Sequence, residues 1–131
     1  MDNKKTKILI VEDEVLINKA YTEELRDEGF IVVTAANGKE GLDLALSEKP
    51  DLILLDILMP VMDGLTMMSK LRERGPYGKN VPIILLTNLA AGEDKIMKAI
   101  TKDEPAYYLV KSDWNLSGVV EKIRERLGQK A

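Results

Sequence analysis

Five short apolar segments, separated by stretches with the spacing of amphipathic helices, constrain the fold of this chain more than any other feature. The apolar segments are Lys7–Val11, Phe30–Ala35, Leu52–Leu55, Val81–Leu86 and Ala106–Val110. Continuous apolar runs are typical of strands that are buried on both faces, as in parallel sheets covered by helices. The alternation therefore predicts an α/β fold: a doubly wound, five-stranded parallel sheet with helices on both faces and right-handed crossovers.

Five helices are predicted between and after these strands. Their ranges are Glu14 to about Glu28, Lys39–Glu48, Leu65–Glu73, Glu93–Lys102 and Leu116–Leu127. In the first helix, four apolar residues keep helical spacing: Val15, Leu16, Ala20 and Leu25. Asp63 is predicted to cap the third helix. The segment Gly75–Gly78 is predicted to be a loop because it combines glycine with proline.

The composition excludes several classes of chemistry. The 131 residues include no cysteine and no histidine, so thiol nucleophiles, zinc thiolate sites and imidazole bases are excluded. A net charge of -3 without a basic block gives no indication of a nucleic-acid surface. No apolar segment approaches membrane-spanning length, which predicts a cytoplasmic protein. The length fits one domain over residues 1–131, with a core over about 6–128.

Polar residues follow four of the five predicted strands. Glu12 and Asp13 end the first strand, Asp56 the third, Thr87 the fourth and Lys111 the fifth. Ligands of open parallel sheets bind outside the carboxyl ends of the strands, so these side chains are expected at one edge. Each residue alone has an ordinary structural explanation, such as a helix N-terminal acid or a solvated lysine. Together, the oxygens can hold a hard divalent cation and leave a carboxylate beside an amine.

Four segments at these strand ends resemble the response-regulator receiver domain of two-component signalling, the CheY-like family. They read ILIVEDE at 8–14, LILLDILMPVMDG at 52–64, IILLTN at 83–88 and YYLVKS at 107–112. The segments occur in the family order and cover essentially the whole chain. The resemblance implies a flavodoxin-like topology with strand order 2-1-3-4-5.

The resemblance also implies a phosphorylation site with a metal ion. By that resemblance, Asp56 is the phosphoacceptor. Glu12 and Asp13 form an acid pair that holds Mg²⁺, Glu12 through water and Asp13 directly. Asp56 and the backbone carbonyl of Leu58 complete the protein ligands of the ion. Two or three acids with water ligands are sufficient for a weak Mg²⁺ site.

Three further residues take switch or catalytic roles by resemblance. Thr87 is the hydroxyl that follows the phosphoryl group, and Lys111 is the amine that pairs with Asp56 and then with a phosphoryl oxygen. Tyr108, three residues before the lysine, is the rotating switch aromatic, with Tyr107 as the competing candidate. Added phosphate charge would shift Thr87, and the space that it vacates would let Tyr108 turn inward.

The implied function is regulatory rather than enzymatic. A histidine kinase or a phosphotransfer protein would donate the phosphoryl group in a Mg²⁺-dependent step. Small phosphodonors would also serve, and the protein would slowly dephosphorylate itself. The switch would alter the face made by the fourth helix, fifth strand and fifth helix, which would contact a downstream protein rather than nucleic acid or membrane. No output domain is expected in the chain; a phosphorylation-dependent homodimer, and a stand-alone protein or a fragment, are left open.

The chain departs from the family pattern next to two of these residues. Ser112 follows the lysine where the family usually has proline, and Ser112-Asp113-Trp114 lengthens the junction before the last helix. A cis bond before serine would cost about 2.5–4 kcal/mol, so the bend there is expected to be made by other means. Asn88 replaces a small residue after the threonine and narrows access to the phosphoryl site. The stretch 89–105, which belongs to the output face, diverges most.

Two alternative functions remain at this stage. The first is a receiver-fold adaptor that works without phosphorylation, which the departures at Asn88 and Ser112 leave open. The second is a flavodoxin-like protein that binds a flavin or a nucleotide. That function requires a Gly/Ser/Thr-rich phosphate loop after the first strand, whereas the chain has the acidic sequence Glu12-Asp13-Glu14, which repels phosphate.

Overall fold

A five-stranded sheet forms the centre of the molecule, whose computed structural model describes residues 5–88 and 94–129. All strand pairs are parallel, and their order is β2-β1-β3-β4-β5. The strands are β1 (Lys7–Val11), β2 (Ile31–Ala35), β3 (Leu52–Asp56), β4 (Ile83–Thr87) and β5 (Tyr107–Val110). The predicted fold class and strand order are confirmed.

Six α-helices accompany the sheet in the described part of the chain. They are α1 (Val15–Asp27), α2 (Gly38–Glu48), α3 (Gly64–Arg72), α4 (Gly75–Asn80), α5 (Asp94–Asp103) and α6 (Leu116–Arg126). A 3-10 helix, Lys111–Asp113, joins β5 to α6. The predicted fourth and fifth helices are therefore α5 and α6, and the predicted first residue of α5, Glu93, lies outside the described residues. Asp63 caps α3 as predicted, since its Oδ1 accepts a hydrogen bond from the Thr66 N–H at 2.8 Å.

The helices cover the two faces of the sheet and enclose two cores. Successive residues of a strand point to opposite faces, so Leu9 and Ile10 enter different cores. Helices α2, α3 and α5 supply apolar side chains to one core, and α1 and α6 supply them to the other. Polar residues, rather than the two apolar cores, occupy the carboxyl ends of the strands. In the described part of the chain, no helix is both long enough and apolar enough to cross a membrane.

The prediction of a loop at Gly75–Gly78 is wrong, because this segment lies in α4. Proline is compatible with the first turn of a helix, where its missing N–H has no helical partner, and Pro76 occupies that turn. The Tyr77 hydroxyl donates a hydrogen bond to the Pro50 carbonyl at 2.6 Å. The Arg72 guanidinium donates to the carbonyls of Gly78 and Val81 at 2.9 and 2.7 Å. These tertiary contacts stabilise a helix that local sequence preferences do not predict.

Val15 and Leu16, two of the apolar residues whose spacing predicts the first helix, do not face the core. Their side chains are 78% and 80% exposed, because the helix begins at the carboxyl edge of the sheet and no residue of 5–88 or 94–129 covers them. The inward face of α1 consists instead of residues at positions i, i+3, i+4 and i+7: Asn18, Tyr21, Thr22 and Leu25. Three of these four residues carry polar groups, so the pattern of apolar residues in the sequence does not predict this face.

Candidate functional site

Three acidic side chains meet where β1 and β3 end. Glu12 and Asp13 follow β1, and Asp56 is the last residue of the adjacent strand β3. One carboxylate oxygen from each residue lies within 4.8 Å of the other two. Glu12 and Asp56 are buried, with 4% and 7% exposure, while Asp13 is accessible to solvent. Three carboxylate oxygens at this separation, with a route to solvent, are suited to a hard divalent cation.

Backbone contacts fix the position of Asp56. Its Oδ1 accepts a hydrogen bond from the Ile57 N–H at 2.9 Å. The next turn of chain returns to the same place, since the Gly64 N–H donates to the Ile57 carbonyl at 2.8 Å. A Cβ at Gly64 would lie 2.1 Å from the Asp56 carbonyl oxygen, so only glycine allows α3 to begin this close to β3. The Asp56 carboxylate is therefore held by the strand and by the start of α3.

Lys111 brings a positive charge to the three acids. It follows β5, the edge strand, and its side chain reaches past the end of β4 toward β3 and β1. Its Nζ lies 2.8 Å from Glu12 Oε1 and 3.6 Å from Asp56 Oδ2. The Lys111 side chain is only 13% exposed, so this ion pair is screened less than a surface pair. The Lys111 amine is hydrogen-bonded to Glu12. It lies close enough to Asp56 to move its hydrogen bond from one carboxylate to the other.

The buried carboxylates perturb each other's ionisation. Burial, followed by the charge of Glu12, raises the pKa of Asp56 from 3.8 to about 7, against the opposing effects of Lys111 and the Ile57 N–H. For Lys111, burial acts to lower the pKa, but the hydrogen bond to Glu12 and the charge of Asp56 outweigh it and raise the pKa. The site thus has more negative charge than Lys111 alone neutralises, and it favours a proton or a cation.

The raised pKa of Asp56 predicts an unusual pH dependence of stability. The folded pKa, about 7, lies above the unfolded value of 3.8, so the folded state binds more protons between these values and the free energy of unfolding falls as pH rises through that window. Without divalent metal, Asp56→Asn should raise the free energy of unfolding on the order of 2–4 kcal/mol at pH 8 and little at pH 4. Urea unfolding in EDTA at both pH values measures this.

The difference between wild type and variant isolates Asp56 from other titrating groups. Asp51→Asn, at the other end of β3, is the matched control and should leave the pH dependence unchanged, because an asparagine oxygen can still accept from the Lys7 N–H. Parallel pH profiles for wild type and Asp56→Asn would show that the ionisation of Asp56 does not oppose folding.

The remaining predicted site residues lie at or near the same edge. Thr87 ends β4 and is fully buried. Tyr108 is half-buried and packs against the core under α2, α3 and α5. Tyr107 points to the opposite face, where its hydroxyl donates to Glu125 Oε1 at 2.6 Å. Leu58 lies in the loop after β3, and its side chain is 57% exposed. The roles of these residues stay predictions.

Two polar residues of α1 contribute to the site and were missed in the sequence. The Asn18 side-chain amide donates to the Glu12 carbonyl at 3.0 Å and so supports the backbone that carries the acids. Tyr21 lines a cavity of about 10 Å³ together with Glu12 and Asp56. Burial raises the pKa of Tyr21, and the two carboxylates add to this effect. Asn18 and Tyr21 lie seven and four residues before Leu25, a spacing that places all three on one face of a helix. Because both residues are polar, the pattern of apolar residues does not include them.

The sheet order and the acid cluster agree with the predicted CheY-like fold, and comparison with known proteins gives the family of the chain. A family model of the response regulator receiver domain matches residues 8–124. The chain belongs to this family, whose members act in two-component signalling. The prediction of a receiver domain is thereby confirmed.

Individual relatives agree with this family. A probable transcriptional regulator, ycf27 of Porphyra purpurea, is 41% identical over 96 residues, which cover 73% of this chain and 38% of the relative. The chain thus spans less than half the length of such curated relatives. A CheY-like receiver domain protein from Methanospirillum hungatei superimposes with a TM-score of 0.85 at 29% identity and 95% coverage of both chains. The structure of the CheX-CheY-BeF3-Mg²⁺ complex from Borrelia burgdorferi gives a TM-score of 0.80 at 29% identity, covering 93% of this chain and 89% of that one.

Proposed function

We propose that this chain is a phosphorylatable receiver in which Asp56 accepts a phosphoryl group from the phosphohistidine of a kinase or a phosphotransfer protein. The observation that carries the proposal is the position of the Asp56 carboxylate. It lies within 4.8 Å of two other acid oxygens and 3.6 Å from the Lys111 amine. Family membership supports the proposal over a flavin- or nucleotide-binding function. Residues of about 6–128 form the receiver domain.

The donor set fits Mg²⁺. Asp13 and Asp56 would bind the ion directly, Glu12 through water, and the Leu58 carbonyl would add a backbone oxygen. Mg²⁺ binds all-oxygen sites of this kind and keeps several water ligands. When bound, the ion would neutralise charge on the transferring phosphoryl group. The similar structure from Borrelia burgdorferi is a CheX-CheY complex with BeF3 and Mg²⁺, and it supports the choice of Mg²⁺ here.

The residues of the chain supply position and charge for the transfer. An Asp56 carboxylate oxygen forms a bond to phosphorus while the bond from phosphorus to the histidine nitrogen of the donor breaks. Phosphoryl transfer through a loose transition state needs mainly alignment and neutralisation of the equatorial oxygens. Lys111 moves its hydrogen bond from Glu12 to one of these oxygens, and Thr87 donates its hydroxyl to another. Water then hydrolyses the acyl phosphate slowly at the same site.

Phosphorylation would be transmitted to the face made by α5, β5 and α6. Movement of Thr87 toward the phosphoryl group changes the space beside Tyr108, which packs on the α5 side of the sheet. Tyr107 is a poorer switch candidate because its hydroxyl is bonded to Glu125 on the other side. A downstream protein that contacts this face would read the change. This two-state response follows from the phosphoryl group on Asp56, which carries a local charge of roughly -1.5 to -2.

Phosphate incorporation tests the proposal. The protein is incubated with acetyl phosphate and Mg²⁺ and its intact mass is measured, with EDTA in a parallel sample. One phosphate adduct that requires Mg²⁺ and decays over time is expected. No adduct under these conditions would contradict the proposal and favour a receiver-fold adaptor that acts without phosphorylation.

Lys111→Ala should separate chemistry from switching. The variant loses a charge that stabilises the phosphoryl oxygens, so adduct formation should slow about tenfold or more, although the adduct should still accumulate. The conformational response to phosphorylation should be largely lost, because no amine moves from Glu12 to the phosphate. Adduct mass over time and amide chemical shifts of the α5-β5-α6 face measure the two effects.

The control for this variant is Lys79→Ala, which removes an exposed lysine of α4. It should phosphorylate and respond like wild type. Normal rates together with a normal shift response in Lys111→Ala would refute the role given to Lys111.

A further inference from the structure

The residue that follows Lys111 in its turn is Ser112, not a proline. Among the described residues no peptide bond is cis, and the bend between β5 and α6 is made by the 3-10 helix Lys111–Asp113. The Trp114 N–H closes this turn by donating to the Lys111 carbonyl at 3.3 Å. Short 3-10 turns have weak hydrogen-bond geometry, so a turn of this kind needs another anchor.

The contacts of Trp114 suit it to anchor the 3-10 turn. Ser112 and Asp113 are exposed, whereas Trp114 is half-buried and packs against the core under α1 and α6. A Cβ at Gly118 would lie 3.1 Å from Trp114 Cε3, so the indole rests directly on the first turns of α6. The Lys122 amine lies 5.5 Å from the Trp114 ring and 4.9 Å from the Tyr107 ring, which ties the indole to both α6 and β5.

We propose that Trp114 is a positioning residue for Lys111: by fixing the 3-10 turn to α6, it holds the amine between Glu12 and Asp56. The amine position depends on the turn, because β5 ends at Val110 and Lys111 is the first residue of the turn. Without the indole, the backbone bond to the Lys111 carbonyl, 3.3 Å long, remains, but the exposed side chains of Ser112 and Asp113 offer no packing in its place. Lys111 then samples positions away from the carboxylates.

The first experiment measures the position of Lys111 without phosphate or metal. The protein is treated briefly with acetic anhydride in EDTA, and acetylation of each lysine is quantified by peptide mass spectrometry. The Lys111 side chain is 13% exposed when its amine is paired with Glu12, so it should react slowly in wild type. Trp114→Ala should raise its acetylation rate at least threefold, and Trp114→Phe, which keeps a ring, less than twofold. The rate at Lys79 should not change.

Gly118→Ala is a second variant that retains the tryptophan. Its methyl group would press on the indole and on Asn115 Oδ1, each 3.1 Å away, and should move the turn, so acetylation of Lys111 should rise. Alanine favours helix over glycine, so this variant is expected to fold even where Trp114→Ala does not. Unchanged acetylation of Lys111 in folded Trp114→Ala or, where that variant does not fold, in Gly118→Ala would overturn the proposal.

A double-mutant cycle tests the consequence for the site and rests on the proposed function. Trp114→Ala should slow adduct formation from acetyl phosphate about fivefold in the wild-type background and less than twofold in the Lys111→Ala background. If Trp114 acted only through stability, Trp114→Ala would slow adduct formation by the same factor in both backgrounds. That result would overturn the proposal. Failure of wild type to form any adduct would refute the proposed function instead, and the acetylation result would still decide the role of Trp114.

Discussion

Asp56→Asn is expected to abolish the phosphate adduct while leaving the fold intact. Asparagine has nearly the shape of aspartate, and its side-chain oxygen can still accept from the Ile57 N–H, as Oδ1 of Asp56 does at 2.9 Å. A neutral amide, however, is not a nucleophile toward phosphorus and offers the cation no charge. Intact mass after incubation with acetyl phosphate and Mg²⁺ should show the unmodified protein alone.

The matched control for this result is Asp51→Asn, because Asp51 flanks the opposite end of β3 and lies away from the acid cluster. It should accept phosphate at the wild-type rate. An adduct of normal yield on Asp56→Asn would place the phosphoacceptor at another residue and remove the basis for the site described above.

Of the substitutions proposed for this protein, Gly64→Ala should lower the free energy of unfolding most. Its Cβ would meet the Asp56 carbonyl oxygen at 2.1 Å and the Ile57 Cα at 3.0 Å. Both are buried backbone atoms, one at the last residue of β3 and the other at the residue after it, and they cannot yield as a flexible side chain does. The start of α3 must move away from β3, and the free energy of unfolding should fall by about 3 kcal/mol or more. Urea unfolding monitored by circular dichroism measures the loss.

Lys70→Ala, on the exposed side of the same helix, is the control and should change stability by about 0.5 kcal/mol at most. Any Gly64→Ala protein that remains folded should also accept phosphate more slowly, because the displaced start of α3 is hydrogen-bonded to Ile57, next to Asp56. A stability equal to wild type would mean that α3 can begin farther from the strand at no cost.

The sheet and its polar edge are predictable from sequence because both depend on local, repeated features. Leu52–Leu55 is apolar at every position, as a strand covered on both faces requires, and Asp56 follows it where the strand leaves the core. Parallel pairing then brings Glu12 to the same edge without further information. The convergence of acids and amine follows from topology, not from any single residue.

Features that depend on tertiary contacts were not predictable. Helix α4 forms where glycine and proline suggest a loop, because Arg72 donates to the carbonyls of Gly78 and Val81 and Tyr77 donates to the carbonyl of Pro50. Lys111 pairs with Asp56 at 3.6 Å, as the resemblance implies, but its closer pairing with Glu12 at 2.8 Å depends on distances that the chain sets only when folded. The support that Trp114 gives to the turn likewise depends on the register of α6 against β5.

The central claim is that a divalent cation and the Lys111 amine meet at Asp56 to make it a phosphate carrier. A crystal structure with Mg²⁺ and BeF3, used as a tetrahedral mimic of the phosphoryl group, tests it most directly. We expect BeF3 on an Asp56 oxygen, one Mg²⁺ bound by Asp13, Asp56 and the Leu58 carbonyl, and Lys111 moved from Glu12 to a fluoride. A cation bound elsewhere, or Lys111 still paired with Glu12 beside an occupied Asp56, would contradict the claim.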